Sequence, residues 1–142
     1  MYRNILVPVD LSDKHSWRKA LPTAVSLCET FEARLHVMTV VPSFGLPMVG
    51  QFFPDGYEAK LRQHAAKQLK EFAATQIADA IPTRRIVSEG KIYQEILKAA
   101  DVIKADLIVM GSHRPELSDY LLGPNAARVV RHAKCSVMVV RE

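Results

Sequence analysis

Short runs of branched apolar residues alternate along this chain with stretches whose apolar residues recur at every third or fourth position, and that alternation leaves few architectures open. Asn4-Ile5-Leu6-Val7-Pro8-Val9-Asp10 is apolar on successive residues, as a strand buried on both faces of a parallel sheet must be. Trp17, Leu21, Ala24, Cys28 and Phe31 then step at helical spacing, with Ser12 and Asp13 placed to cap the helix start. A second strand is expected over 35–41, ended by Pro42, which has no N–H for a ladder. Leu61, Ala65, Leu69, Phe72 and Ala73 carry a second helix, and 85–88 reads as a short edge strand. From Gly90, Ile92, Ile96, Ala99, Ala100 and Ile103 define a third helix. A fourth strand is expected over 106–111, a fourth helix over 123–133 and a fifth strand over 136–141. Strand and helix alternating in this way predict right-handed crossovers and an α/β fold, a doubly wound parallel sheet in three layers with helices on both faces.

At 142 residues the chain has the size of one domain with its own core, and 1–142 contains no repeat, linker or low-complexity stretch to divide it. No apolar run approaches the roughly 20 residues that cross a bilayer, and the N-terminus enters a strand without a secretory h-region, so a cytoplasmic protein with no membrane partner is expected. Cys28 and Cys135 lie far apart inside apolar patterns and read as two buried small hydrophobes. The net charge of +4 is dispersed, Lys104, Arg114, Arg128 and Arg131 being interleaved with Asp101, Asp106, Glu116 and Asp119. No basic stripe of the nucleic-acid type forms. His36 and His132 read as structural, His15 and His64 as exposed. One segment breaks the pattern: 43–56 carries three glycines and two prolines among Phe44, Met48, Phe52 and Phe53. A loop so long is either functional or folded onto the body by its own aromatics.

Sheets of this kind bind ligands beyond the carboxyl ends of their strands, where the strand order reverses. Two polar segments stand at such ends. The first strand closes in Pro8-Val9-Asp10. The fourth runs into Gly111-Ser112-His113-Arg114, and nine residues later Gly123-Pro124-Asn125-Ala126 opens a helix. A glycine leaving a strand permits close backbone approach, and a helix mouth offers N–H groups whose partial positive charge suits phosphate. Asp10 is placed beside them to accept a hydrogen bond from a ribose hydroxyl or to hold a divalent cation on the phosphates. Without a ligand, the same glycines serve as turn formers and Asp10 as a cap of the following loop.

The chain resembles the universal stress protein family over essentially its full length. The resemblance is carried by Ile5-Leu-Val-Pro-Val-Asp10, by Val40 at the end of the second strand, by 105–113 (Ala-Asp-Leu-Ile-Val-Met-Gly-Ser-His), and by 121–141 from Leu-Leu-Gly-Pro-Asn-Ala-Ala to Val-Met-Val-Val-Arg. It implies a five-stranded sheet in the order 3-2-1-4-5, dimers paired through the last strand (Val137, Val139) that can associate into tetramers, and, in one branch, ATP or AMP binding through a glycine motif. Gly111 matches the first glycine of that motif and Gly123 the third. Arg114 stands where the second is expected, the spacer is one residue shorter, and Pro124 replaces a serine or threonine, deleting an N–H and a hydroxyl. Proline is tolerated in a first helical turn, and Arg114 offers a bidentate phosphate contact in exchange. These departures resemble a subgroup reading Gly-Ser-His-Arg-Pro after the fourth strand, in which nucleotide binding is expected to persist with a rearranged phosphate loop. The resemblance further implies Val9 and Val40 against adenine, Pro8 and Met110 lining its pocket, His113 near a phosphate, and Mg²⁺ carried by the nucleotide against Asp10.

No hydrolase signature is present. Ser112 and His113 are adjacent, which points their side chains apart in a strand, and neither a GxSxG nor a GxxxxGK[ST] segment occurs. The expectation is an ATP-binding regulatory homodimer of the stress response, at most a slow ATPase. The alternative is a nucleotide-free dimeric interaction module acting through its last strand and the loop at 44–53. A phosphoacceptor receiver domain would need a second acidic residue beside Asp10, which is missing.

Overall fold

A first strand buried on both sides demands cover on both sides, and a computed structural model, which describes residues 1–41, 56–112 and 123–141, provides it. The strands are β1 (Asn4–Pro8), β2 (Arg34–Val41), β3 (Thr83–Glu89), β4 (Leu107–Gly111) and β5 (Ser136–Val140). The helices are α1 (Ala20–Phe31), α2 (Tyr57–Gln76), α3 (Ile92–Ile103) and α4 (Pro124–His132). All four strand pairings are parallel, in the order β3-β2-β1-β4-β5. The expected doubly wound sheet and its order are therefore both present.

Strand periodicity of two sorts the core into layers. Ile5, Val7, Leu35, Val37, Leu107 and Val109 point to the face covered by α1 and α2, where Leu21, Ala24, Cys28 and Leu69 meet them. Leu6, Met38, Ile108 and Met110 point the other way, onto Ile96, Ala99 and Ile103 of α3 and Ala126 and Val129 of α4. Each fully buried Leu or Ile in these layers contributes roughly 1.5–3 kcal/mol relative to exposure.

Several boundaries differ from the expectation, for local reasons. The first helix does not start at a Ser12 or Asp13 cap. Asp13 accepts the His15 N–H and caps a 3-10 turn, Lys14–Ser16; such side-chain bonds compete with the α-helix. Trp17 thus precedes α1 and packs edge-on against Phe72 of α2, ring centroids 4.9 Å apart. Asp106 lies ahead of β4, where its carboxylate accepts the N–H groups of Arg3 (2.8 Å) and Asn4 (3.1 Å) and ties the start of β1. The edge strand is longer than 85–88: all seven residues of β3 pair with β2, and its exposed Arg84 and Arg85 discourage further pairing. α2 likewise extends well beyond the 61–73 stripe. Of the two cysteines, Cys28 is buried but Cys135 only half-buried. His15 is half-buried rather than exposed, His64 is exposed, and His132 is exposed with its ring stacked on Tyr93. Pro42 and the loop at 43–55 lie outside the described residues.

His36 is the one buried imidazole among the described residues. It is 2% exposed on β2, its Nε2 lies 3.0 Å from Asn4 Oδ1, and its Nδ1 has no partner among the described residues. Burial first, then the neighbouring Arg84 and Arg34, push its pKa down to about 4. A ring held neutral in this way donates Nε2–H to Asn4.

Candidate functional site

The strand order reverses between β1 and β4, and their ladder joins only Ile5 to Leu107 and Leu6 to Ile108. Beyond those pairs the strands part. A crevice of about 540 Å³ opens over their carboxyl ends, within the roughly 300–1,000 Å³ of small-molecule sites. Eleven of the thirteen residues expected at a site line it: Pro8, Val9 and Asp10 from the end of β1, Val40 from β2, Met110, Gly111 and Ser112 from β4, and Gly123, Pro124, Asn125 and Ala126 from the mouth of α4. His113 and Arg114 lie outside the described residues.

One wall is apolar. Met38 and Val40 of β2, Met110 of β4, Ala126 of α4, and Ile92 and Ile96 of α3 form it, with Ile92 left 43% exposed at the rim. A flat, weakly polar group fits such a wall. The opposite side is polar and built by the turn after β1. Asp10 Oδ1 accepts both the Ser12 N–H (3.0 Å) and the Ser12 hydroxyl (2.7 Å), while Oδ2 receives no hydrogen bond from any described residue. Asp10 thus does cap its own loop, as the ligand-free reading requires, yet keeps one carboxylate oxygen available in the crevice it lines.

The third component is the start of α4. Gly123, the N-cap, has no side chain with which to cap it, and Pro124 at N1 has no N–H to contribute. Asn125 and Ala126 occupy the positions whose N–H groups have no partner within a helix, and the helix dipole adds partial positive charge there. The Ser112 amide does not join this mouth. Its N–H is committed to Val140 O of β5 at 3.2 Å, so among the described residues of this stretch the α4 amides are the ones placed to face an anion.

Gly111 has a role that its position in the sequence hides. A Cβ built there would lie 2.8 Å from Ser16 O and 3.1 Å from His15 O, so the residue is glycine because the 3-10 turn crosses directly over it. Close approach was expected of a ligand; among the described residues the close neighbour is the protein's own backbone. Ser12, Asp13 and Ser16, which that turn brings into the lining, and Met38, Thr39, Ile92 and Ile96 beside them were not expected at a site: Ser12 and Asp13 were read as helix caps, and Ile92 and Ile96 as a helix stripe. The only signal was the spacing Asp10, Ser12, Asp13, Ser16, which also suits a simple helix cap. Among the described residues no group of three His, Cys, Asp or Glu side chains can hold a metal ion, and no helix is long and apolar enough to cross a membrane.

An open parallel sheet with a crevice at its switch point defines the class of doubly wound α/β domains. The particular family follows from comparison. The model of the Universal stress protein family matches residues 1–141, and the chain belongs to that family. It is 31% identical over 143 aligned residues to universal stress protein G of Escherichia coli O157:H7, covering 99% of this chain and 100% of the relative. Among solved structures, the universal stress protein UspA from Lactobacillus plantarum superposes with a TM-score of 0.72 at 29% identity, covering 99% of this chain and 98% of the other. Two more distant structures share the fold and were solved with nucleotides. One is a universal stress protein in complex with cAMP (TM-score 0.62, 24% identity, 99% and 97% covered). The other is an Arabidopsis thaliana family member with AMP bound (TM-score 0.66, 17% identity, 99% and 92% covered).

Proposed function

We propose that this protein binds an adenine nucleotide, ATP or AMP, in the switch-point crevice, and acts as a single-domain regulatory homodimer of the cytoplasmic stress response. The observation that carries the reading is the meeting, in one crevice, of an apolar wall, a carboxylate oxygen and an uncapped helix mouth: surfaces suited to a base, a sugar and a phosphate. Adenine would lie against Val9, Val40 and Met110, with Pro8 at its edge. Asp10 would face the ribose, and the amides of Asn125 and Ala126, behind Gly123 and Pro124, would receive a phosphate. His113 and Arg114 would complete the phosphate loop from the Gly-Ser-His-Arg-Pro segment, Arg114 as a bidentate donor. Mg²⁺ would enter only as the counter-ion of a triphosphate, held against Asp10. The family relatives with cAMP and AMP support a nucleotide of this class.

Equilibrium dialysis with labelled ATP and AMP tests the site. The wild-type chain should retain both, and Gly123→Val, which adds a branched side chain to the buried helix mouth, should lose them. Equal retention by both proteins would place the nucleotide elsewhere.

The dimer part of the proposal rests on the outer edge of β5. Val140 O accepts the Ser112 N–H, so the backbone groups of residues 138 and 140 face β4, and those of Val137 and Val139 face outward. Among the described residues β5 pairs with β4 alone. Its outer edge is thus a row of backbone donors and acceptors suited to pairing with a second copy, and two such dimers could associate as a tetramer.

A further inference from the structure

Ser16 touches both halves of the crevice. Its hydroxyl accepts the Asp10 N–H at 2.9 Å and has two carbonyls within reach of its single proton, Asp13 O at 2.8 Å and Asp10 O at 3.1 Å. The Ser16 carbonyl is in turn the atom pressed against Gly111 on β4. One residue therefore fixes the main chain of Asp10 and seats the whole turn on the neighbouring strand, across the gap where β1 and β4 no longer pair. Ser12 holds Asp10 Oδ1 from the other side, which leaves Oδ2 with a fixed direction. A single fixed acceptor oxygen suits a hydroxyl donor. A resident hard cation would want about six oxygen ligands, more than these residues supply.

We propose that Ser16 is a positioning residue, holding Asp10 so that Oδ2 accepts from the ribose hydroxyls of the bound nucleotide, and that the site thereby selects ribonucleotides over their dideoxy forms. The inference rests on the adenine-nucleotide reading above, which already sets Asp10 against the ribose, and adds to it the residue that holds Asp10 there. Pre-organisation is the physical content: an acceptor already fixed needs no ordering when the ligand arrives.

The test is calorimetric titration with AMP and with 2′,3′-dideoxyadenosine 5′-monophosphate, in EDTA so that no divalent cation contributes. Wild-type protein should bind AMP about tenfold or more tightly than the dideoxy form, the scale of a hydrogen bond to a charged acceptor. Ser16→Ala should bring that ratio to within about twofold, and Ser16→Thr, which keeps the hydroxyl, should restore it. A merely structural defect would weaken both ligands alike and leave the ratio standing. A Ser16→Ala protein that still discriminates would overturn the proposal, as would a wild type that binds both ligands equally well. A wild type that binds neither would instead refute the nucleotide reading on which the proposal depends.

Discussion

Replacing His36 by glutamine should remove a defined part of the protein's acid sensitivity. Glutamine keeps an amide donor for Asn4 but cannot titrate. In the unfolded chain the imidazole takes up a proton near pH 6.5, whereas in the folded chain burial, Arg84 and Arg34 delay uptake until about pH 4. Below the higher value the unfolded state binds more protons than the folded one, so stability falls as the pH falls through that window. Integrated over the two titrations, the loss is about 2 kcal/mol at pH 5 and about 3 kcal/mol near pH 4, relative to a histidine that titrates identically in both states. For a chain of this size about 2 kcal/mol corresponds to roughly 5–8 °C in Tm. The measurement is urea unfolding of wild type and His36→Gln at about pH 7, 6 and 5, followed through Trp17, the only tryptophan. Carboxylates that protonate in the same range affect both proteins and cancel in the difference. The variant should start somewhat less stable at neutral pH and lose about 2 kcal/mol less on acidification to pH 5. Parallel pH profiles for the two proteins would refute the claim that His36 is held neutral.

Gly111→Ala puts a methyl 2.8 Å from Ser16 O, a backbone atom that cannot swing aside, and should destabilise the fold by about 1–3 kcal/mol in urea titration. A variant of unchanged stability would mean that the 3-10 turn does not rest on β4. Lys104 ends α3 at φ 55 and ψ 50, a left-handed geometry that glycine adopts without strain, so Lys104→Gly should stabilise by about 0.5–1 kcal/mol, read as a rise in Tm. Val139→Pro removes an outward N–H from β5 while sparing the groups that face β4, and light scattering on a sizing column should then report monomers; a surviving dimer would assign another interface. The Cys28 thiol, pushed up to about 11 by burial and by Glu29, should resist iodoacetamide at about pH 8 until the chain unfolds, checked by mass spectrometry of the intact protein.

Wherever packing is dictated by one element's own periodicity, the sequence was legible. Every strand and α-helix among the described residues could be located, because a strand covered on both faces must be apolar at each position and a surface helix must be apolar on one stripe. Both ends of the crevice were also legible, Pro8 to Asp10 and Gly123 to Ala126, since polar residues and glycines at strand ends and helix mouths are conspicuous against those patterns. The turn at Lys14–Ser16 was not. Ser12 and Asp13 carry the same signal whether they cap an α-helix or a 3-10 turn, and which of these forms depends on what lies beneath.

What the residues determined by themselves, then, was an alternating α/β chain with a polar cluster at two strand ends. Tertiary structure alone decided that β1 and β4 part after Leu6 and Ile108, that the Ser16 carbonyl occupies the space a side chain at 111 would take, and that the Ser112 amide is spent on β5. The reason is physical: each of these depends on contacts between segments far apart in the chain, and no local pattern encodes the distance between them.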